Sequence, residues 1–167
     1  MLSSPGMSKI RLCALLLITF AFTTIAAAKK QGEAASIKST TVEGAVKAGA
    51  TVAAKITVAL EREYHVHSHT PSEKTFIPTV LSLTPPKGTV IGKIKYPAGK
   101  SQKVQGLPKP LSVYEEEFQL DVPITLPAGL TLPLKIPATL SYQACQGAVC
   151  YPPRKLTFDI LIIDAKK

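Results

Sequence analysis

No stretch of this 167-residue sequence carries a convincing 3.6-residue apolar period, and no segment repeats another, which argues against helical bundles and solenoids. The histidines all fall between residues 65 and 69, so no Ser-His-Asp order is present. Gly88, Gly92 and Gly99 stand isolated and leave no phosphate-cradling loop, and no paired-carboxylate arrangement stands out. Basic residues outnumber acidic ones by 20 to 11, yet the lysines are spread along the chain, with neither an arginine-rich helix nor an aromatic-studded basic motif. Nucleic acid is therefore not an expected partner, and a soluble basic surface accounts for the charge.

One long apolar run is present, and it lies at the start. Lys9 and Arg11 precede an uncharged stretch from Leu12 to Ile25, and Ala26-Ala27-Ala28 supplies small residues at a cleavage site. This is the layout of a signal peptide, residues 1–28, cut after Ala28. A membrane anchor is the competing reading, but the run is shorter than the roughly 20 residues a span needs, and Lys29-Lys30 follows it directly. Cys13 leaves with the signal. No membrane span is expected after cleavage, and the small polar segment 29–36 reads as a flexible lead into one domain at 37–167.

The rest of the chain alternates with the period of strands. Between Val52 and Val66 the even positions carry Val52, Ala54, Ile56, Val58, Leu60, Arg62, Tyr64 and Val66, while the odd ones are mostly polar. The same phase recurs at Val90, Ile94 and Tyr96, at Phe118 to Leu126, at Leu134 to Tyr142 and at Leu156 to Ile162. Weaker strands are expected near 37–46 and 76–83. The set suits an all-β, two-sheet sandwich of about seven strands. Pro123 and Pro137 fall inside strand-like segments and should mark edges or bulges, since proline cannot donate to a ladder.

The chemistry concentrates in Cys145 and Cys150, which lie between the last two strands in a chain bound for a compartment that permits disulfides. A bond between them is expected. As a staple it is poorly placed, because a six-residue loop stabilises by only about 2 kcal/mol, against about 4 for a bridge between distant strands. By strand phase Cys145 falls with Lys135, Thr139, Ser141 and Gln143, so its sulfur should point outward, into solvent. Gly147 lets the loop turn back, and Pro152-Pro153 denies backbone donors just beyond it. A redox-active pair, an inert local disulfide and a metal site all remain open from these residues alone.

The run Tyr142-Gln143-Ala144-Cys145 through Cys150-Tyr151-Pro152-Pro153 resembles the cysteine motif of the N-terminal periplasmic domain of the thiol:disulfide interchange protein DsbD. Tyr64-His65-Val66 with Pro71, Phe76-Ile77-Pro78-Thr79 and Tyr96-Pro97 are further matching pieces. The resemblance implies an immunoglobulin-like β-sandwich of seven to nine strands in the periplasm. It also implies a mechanism: a thioredoxin-like domain or membrane reductase supplies electrons, and the dithiol passes them to periplasmic disulfide isomerases or cytochrome-maturation proteins through mixed disulfides. Cys150 would be the nucleophile and Cys145 the resolving thiol, with Tyr142, Gln143, Gly147, Tyr151, Pro152 and Pro153 supporting the loop.

The family's cap loop brings carboxylates and a shielding aromatic ring near the thiols, and the corresponding candidates here are Tyr114, Glu115, Glu116, Glu117 and Phe118. With the chain ending at Lys167, the resemblance places the electron source on a separate polypeptide. The alternative is a non-enzymatic envelope binding or assembly domain whose disulfide only shapes a loop. His65, His67 and His69 continue the polar phase of their strand and should face solvent together. No carboxylate or cysteine lies near them in sequence, so no metal and no cofactor is expected, and the domain is read as a monomer.

Overall fold

The structure, a computed structural model, describes residues 1–2 and 34–164, so the apolar run and cleavage site expected near the N-terminus lie outside the described residues. Twelve strands follow one another: β1 (Ala35–Glu43), β2 (Thr51–Leu60), β3 (Tyr64–His67), β4 (Val80–Leu83), β5 (Val90–Ile91), β6 (Lys100–Gln102), β7 (Leu111–Glu115), β8 (Glu117–Thr125), β9 (Leu134–Tyr142), β10 (Ala144–Gln146), β11 (Val149–Cys150) and β12 (Arg154–Ile162). No helix occurs among the described residues. The architecture is the expected all-β, immunoglobulin-like one. Its strand count exceeds seven to nine because short pieces such as β6 and β11, of two or three residues, carry no readable alternation; the alternation read at Val90, Ile94 and Tyr96 yields only the two-residue β5, with Val90 exposed. The domain also opens earlier than expected: β1 begins at Ala35, and Ala34 is only 1% exposed.

The strands form three antiparallel sheets rather than the expected two, with the orders β1-β2-β8-β5, β11-β10-β3-β7-β6 and β12-β9-β4. The main core joins the inward residues of the long strands: Ile56 and Val58 of β2, Leu120 and Ile124 of β8, Ile136 and Leu140 of β9, and Ile160 and Ile162 of β12. These are the apolar phases of the sequence. Each such side chain, fully removed from water, contributes about 1.5–3 kcal/mol.

Two expectations are refined by the backbone. The alternation from Val52 to Val66 is two strands in two sheets, not one. Between them the Tyr64 N–H donates to the Glu61 carbonyl at 3.1 Å, and Glu63 takes a φ of 70°. Pro123 and Pro137 lie in the internal strands β8 and β9 rather than at edges. In an antiparallel ladder a residue's N–H and C=O point to the same side. The Pro123 carbonyl accepts from Gly92, just past the end of β5, and the Pro137 carbonyl accepts from Thr84, just past the end of β4. Each proline thus turns its missing donor toward a flanking strand that has already stopped.

Candidate redox site at the Cys145–Cys150 hairpin

Strands β10 and β11 form a hairpin at one edge of the five-stranded sheet. Gln146 pairs with Val149, leaving Gly147 and Ala148 as the turn. Gly147 has φ 56°, the left-handed value that glycine supplies at the first position of a II′ hairpin turn. One step back, Cys145 pairs directly with Cys150, with Cα atoms 4.0 Å apart, and the two sulfurs are bonded.

Of the residues expected to support the loop, Tyr151 and Gln143 make hydrogen bonds within the hairpin. The Tyr151 N–H donates to the Ala144 carbonyl at 2.9 Å, the Gln143 Nε2 donates to the Tyr151 carbonyl at 3.1 Å, and the Tyr151 hydroxyl donates to Gln146 Oε1 at 3.3 Å. The Tyr151 ring lies 5.8 Å from that of Tyr64, and Gln146 Nε2 reaches Glu63 Oε2 at 3.0 Å. Tyr142 is buried in the main core, and the exposed Pro152 and Pro153 separate β11 from β12.

Register decides which side chains share a face with the sulfurs. Cys150, Cys145, His65 and Glu115 stand opposite one another across β11, β10, β3 and β7, and His67 stands opposite Val113 in the next row on the same face. The partners on the other face, Ala144, Val66 and Tyr114, belong to the main core. The phase assigned to Cys145 from sequence is therefore right, since its sulfur points away from the main core. The expected exposure is not. Cys145 is 0% exposed, and His65 and His67 are each 1% exposed, because the outer face is itself covered.

The cover comes from the segment after β3. Thr79, fully buried, donates its hydroxyl to the His67 carbonyl at 2.6 Å and ties this segment to the end of β3. Phe76 then stacks on the His67 ring, with centroids 4.5 Å apart and planes 13° from parallel. His67 Nε2 lies 3.8 Å from Cys145 Sγ. Cys150 is exposed, so the disulfide presents one sulfur to solvent and keeps the other inside.

Burial lowers the pKa of His65 and of His67, and for His67 the neighbouring His65 adds to the effect. Neither His65 Nε2 nor His67 Nδ1 has a hydrogen-bond partner among the described residues. His69 is elsewhere: its exposed ring stacks on Tyr96 at 3.7 Å, with Nδ1 3.1 Å from the Thr79 carbonyl. The three histidines thus do not form the shared solvent face expected of them.

The expected cap is also corrected. Residues 114–118 are the end of β7 and the start of β8, not a loop. Tyr114 and Phe118 stack on each other at 4.4 Å inside the main core and shield no sulfur. Glu116 lies between the two strands at φ 57°, and Glu117 begins β8. Glu115 shares the cysteine row, with two strands between its own and that of Cys150. The aromatic ring next to the site is Phe76, which reaches the sulfurs only through His67. Sequence reasoning assigned no role at the cysteines to Phe76 or His67. The available signal was that 64–66 and 76–79 were matching fragments without a common purpose, and the fold brings them together beside Cys145.

The all-β sandwich carries a half-exposed disulfide in an edge hairpin, and its family marks it as a thiol–disulfide redox domain. Residues 34–162 match the family described as thiol:disulfide interchange protein DsbD, N-terminal, and the chain belongs to that family. Among solved structures it is similar to the Neisseria meningitidis DsbD N-terminal domain in the reduced form, with 21% identity, a TM-score of 0.45, and 70% of this chain and 82% of that one covered. It is also similar to the N-terminal periplasmic domain of ScsB from Proteus mirabilis, with 14% identity and a TM-score of 0.52, covering 80% of this chain and 49% of that one. A third similar structure is the complex between the DsbD and PilB N-terminal domains of Neisseria meningitidis, with 21% identity, a TM-score of 0.43, and 65% and 73% of the two chains covered. No curated protein matches the chain. No helix among the described residues is long and apolar enough to cross a membrane.

Proposed function

We propose that this domain is a monomeric periplasmic thiol–disulfide exchange unit in which Cys150 meets the partner and Cys145 resolves. The observation that carries the reading is the asymmetry of the bond: Cys150 is exposed at a sheet edge and Cys145 is fully buried. Membership of the DsbD N-terminal family supports the exchange chemistry.

In the reductive half, a thiolate of a thioredoxin-like partner attacks Cys150 Sγ, forms a mixed disulfide and releases Cys145 as a thiolate that takes up a proton. The partner's second thiol then attacks its own sulfur in that bond, leaving the domain as a dithiol and the partner as a disulfide. In the forward half the Cys150 thiolate attacks a client disulfide, of the isomerase or cytochrome-maturation kind. Cys145 then attacks Cys150 Sγ, which expels the client's second thiol reduced and restores the bond. Electrons and protons balance at each exchange, and no cofactor takes part.

Equilibration with glutathione buffers is the test. A working pair should have a potential well above the value of about −300 mV below which structural disulfides of secreted proteins usually sit. The Cys145→Ser variant should accumulate a mixed disulfide through Cys150 with a thioredoxin-like protein, and Cys150→Ser far less. A pair that stays oxidised in the folded domain under millimolar dithiothreitol, with neither variant capturing a partner, would assign the disulfide to loop shaping instead.

A further inference from the structure

The imidazole beside Cys145 has chemistry that disulfide exchange does not use. Cys145 and Cys150 offer two sulfurs and His67 one ring nitrogen, all within 4.8 Å of one another, although His67 and Cys145 are 78 residues apart in sequence. We infer that the reduced hairpin, together with His67, forms a three-coordinate site for copper(I).

Geometry supports the assignment. A trigonal centre with metal–sulfur bonds of about 2.3 Å and a metal–nitrogen bond of about 2.0–2.1 Å separates sulfur from nitrogen by roughly 3.8 Å and the two sulfurs by roughly 4 Å. His67 Nε2 and Cys145 Sγ already stand 3.8 Å apart. Once the bond is reduced, the sulfurs of cross-strand cysteines in an antiparallel pair are free to part to such a distance while the hairpin keeps its register. The Phe76 ring against one face of His67 and the buried end of β3 fix the imidazole. His67 Nδ1 has no hydrogen-bond partner among the described residues, and the contact of Nε2 is with Cys145 Sγ itself, so the Nε2 lone pair faces the sulfur rather than a competing donor.

The donor set selects the metal. Two thiolates are soft ligands and imidazole suits zinc and copper, so the set favours copper(I) and zinc. Zinc in closed protein sites takes four ligands, and no fourth histidine, cysteine or carboxylate atom joins this group among the described residues, so zinc would need water at the exposed Cys150 side to complete its shell. Copper(I) is satisfied by three. Loading is a simple substitution: copper enters as Cu⁺, both thiols release their protons, and no electron moves. The disulfide must first be opened, its two electrons coming from a dithiol or phosphine reductant. A bound copper ion occupies both sulfurs, so metal binding and disulfide exchange exclude each other.

The site requires a reducible pair but not a working exchange cycle, so chemical reduction separates the two ideas. The domain, reduced anaerobically with a phosphine and freed of excess reductant, should compete with bicinchoninate for one equivalent of copper(I). X-ray absorption should report two sulfurs and one nitrogen around the metal. His67→Ala should weaken binding at least tenfold and remove the nitrogen, whereas His69→Ala should leave both unchanged. Circular dichroism confirms that each variant is folded, and His67→Gln, which keeps most of the ring's volume, serves if alanine is not tolerated. The oxidised domain should bind no copper. The assignment fails if the reduced domain loses all copper to bicinchoninate. It also fails if His67→Ala and His67→Gln bind as tightly as the parent, if the oxidised domain binds equally, or if zinc(II) displaces copper(I) at equal concentration.

Discussion

Replacing either cysteine by serine leaves one thiol in a hairpin whose two strands differ sharply in access. In Cys145→Ser the remaining Cys150 thiol is exposed on the edge strand β11 and should react with a disulfide reagent at the rate of an open thiol. In Cys150→Ser the remaining Cys145 is 0% exposed, and a reagent reaches it by local opening, either of the cover at Phe76 or of β11 from β10. Three hydrogen bonds hold Tyr151 against that strand: its N–H to Ala144, Gln143 to its carbonyl, and its hydroxyl to Gln146. At about 1 kcal/mol each, parting them costs about 3 kcal/mol. With 1.4 kcal/mol per factor of ten, the Cys145 thiol should react about 100-fold more slowly than the Cys150 thiol. Stopped-flow reaction with Ellman's reagent at neutral pH measures both rates, and guanidinium should bring the two within about twofold by removing the fold. A native ratio below about five, or one in which Cys145 is the faster, would refute the reasoning and with it the assignment of Cys150 as the entry sulfur.

Two further outcomes test the packing around the site. Tyr114→Phe removes a hydroxyl that donates to the Pro97 carbonyl at 3.0 Å and accepts from the His69 N–H at 3.1 Å, and should cost about 1–3 kcal/mol in urea unfolding. Burial raises the Tyr114 pKa, so the parent's stability should hold up to the unfolded value of about 10 and fall as pH rises beyond it, where the unfolded chain ionises first; the variant's decline should be shallower. Gly99→Ala should cost about 1–3 kcal/mol, because a Cβ there would collide with Ser112 Oγ and stand 2.8 Å from Ser68 Cβ; Ser112→Ala in the same chain should recover part of the loss, read by thermal unfolding.

Much of the sandwich was legible because β2, β8, β9 and β12 each bury one face, which writes a period of two into the sequence. The pairing of Cys145 with Cys150 and the bracing by Gln143 and Tyr151 were legible for a related reason: they lie in one short stretch of chain. The surroundings of Cys145 were not. Period-two reasoning distinguishes inward from outward but says nothing of what lies over the outward face. Here Phe76 and Thr79 supply that cover from the first part of the weak strand expected over 76–83, which the fold leaves outside β4. The same limit turned His65 and His67 into an apparent solvent face. For the cap the error ran the other way. Phe118 already stood in the apolar phase of β8, and that phase, rather than proximity to acidic residues, decided where its ring went.

Neither cysteine belongs to the main core cluster. Closing their six-residue loop contributes about 2 kcal/mol, against the 5–15 kcal/mol by which domains are stable, so the fold outlasts the bond. Gaining or losing two electrons therefore leaves the folded population of this domain almost unchanged. The unfolded fraction nonetheless rises about thirty-fold when the bond opens, at 1.4 kcal/mol per factor of ten, so the dithiol is the form that a protease meets more often.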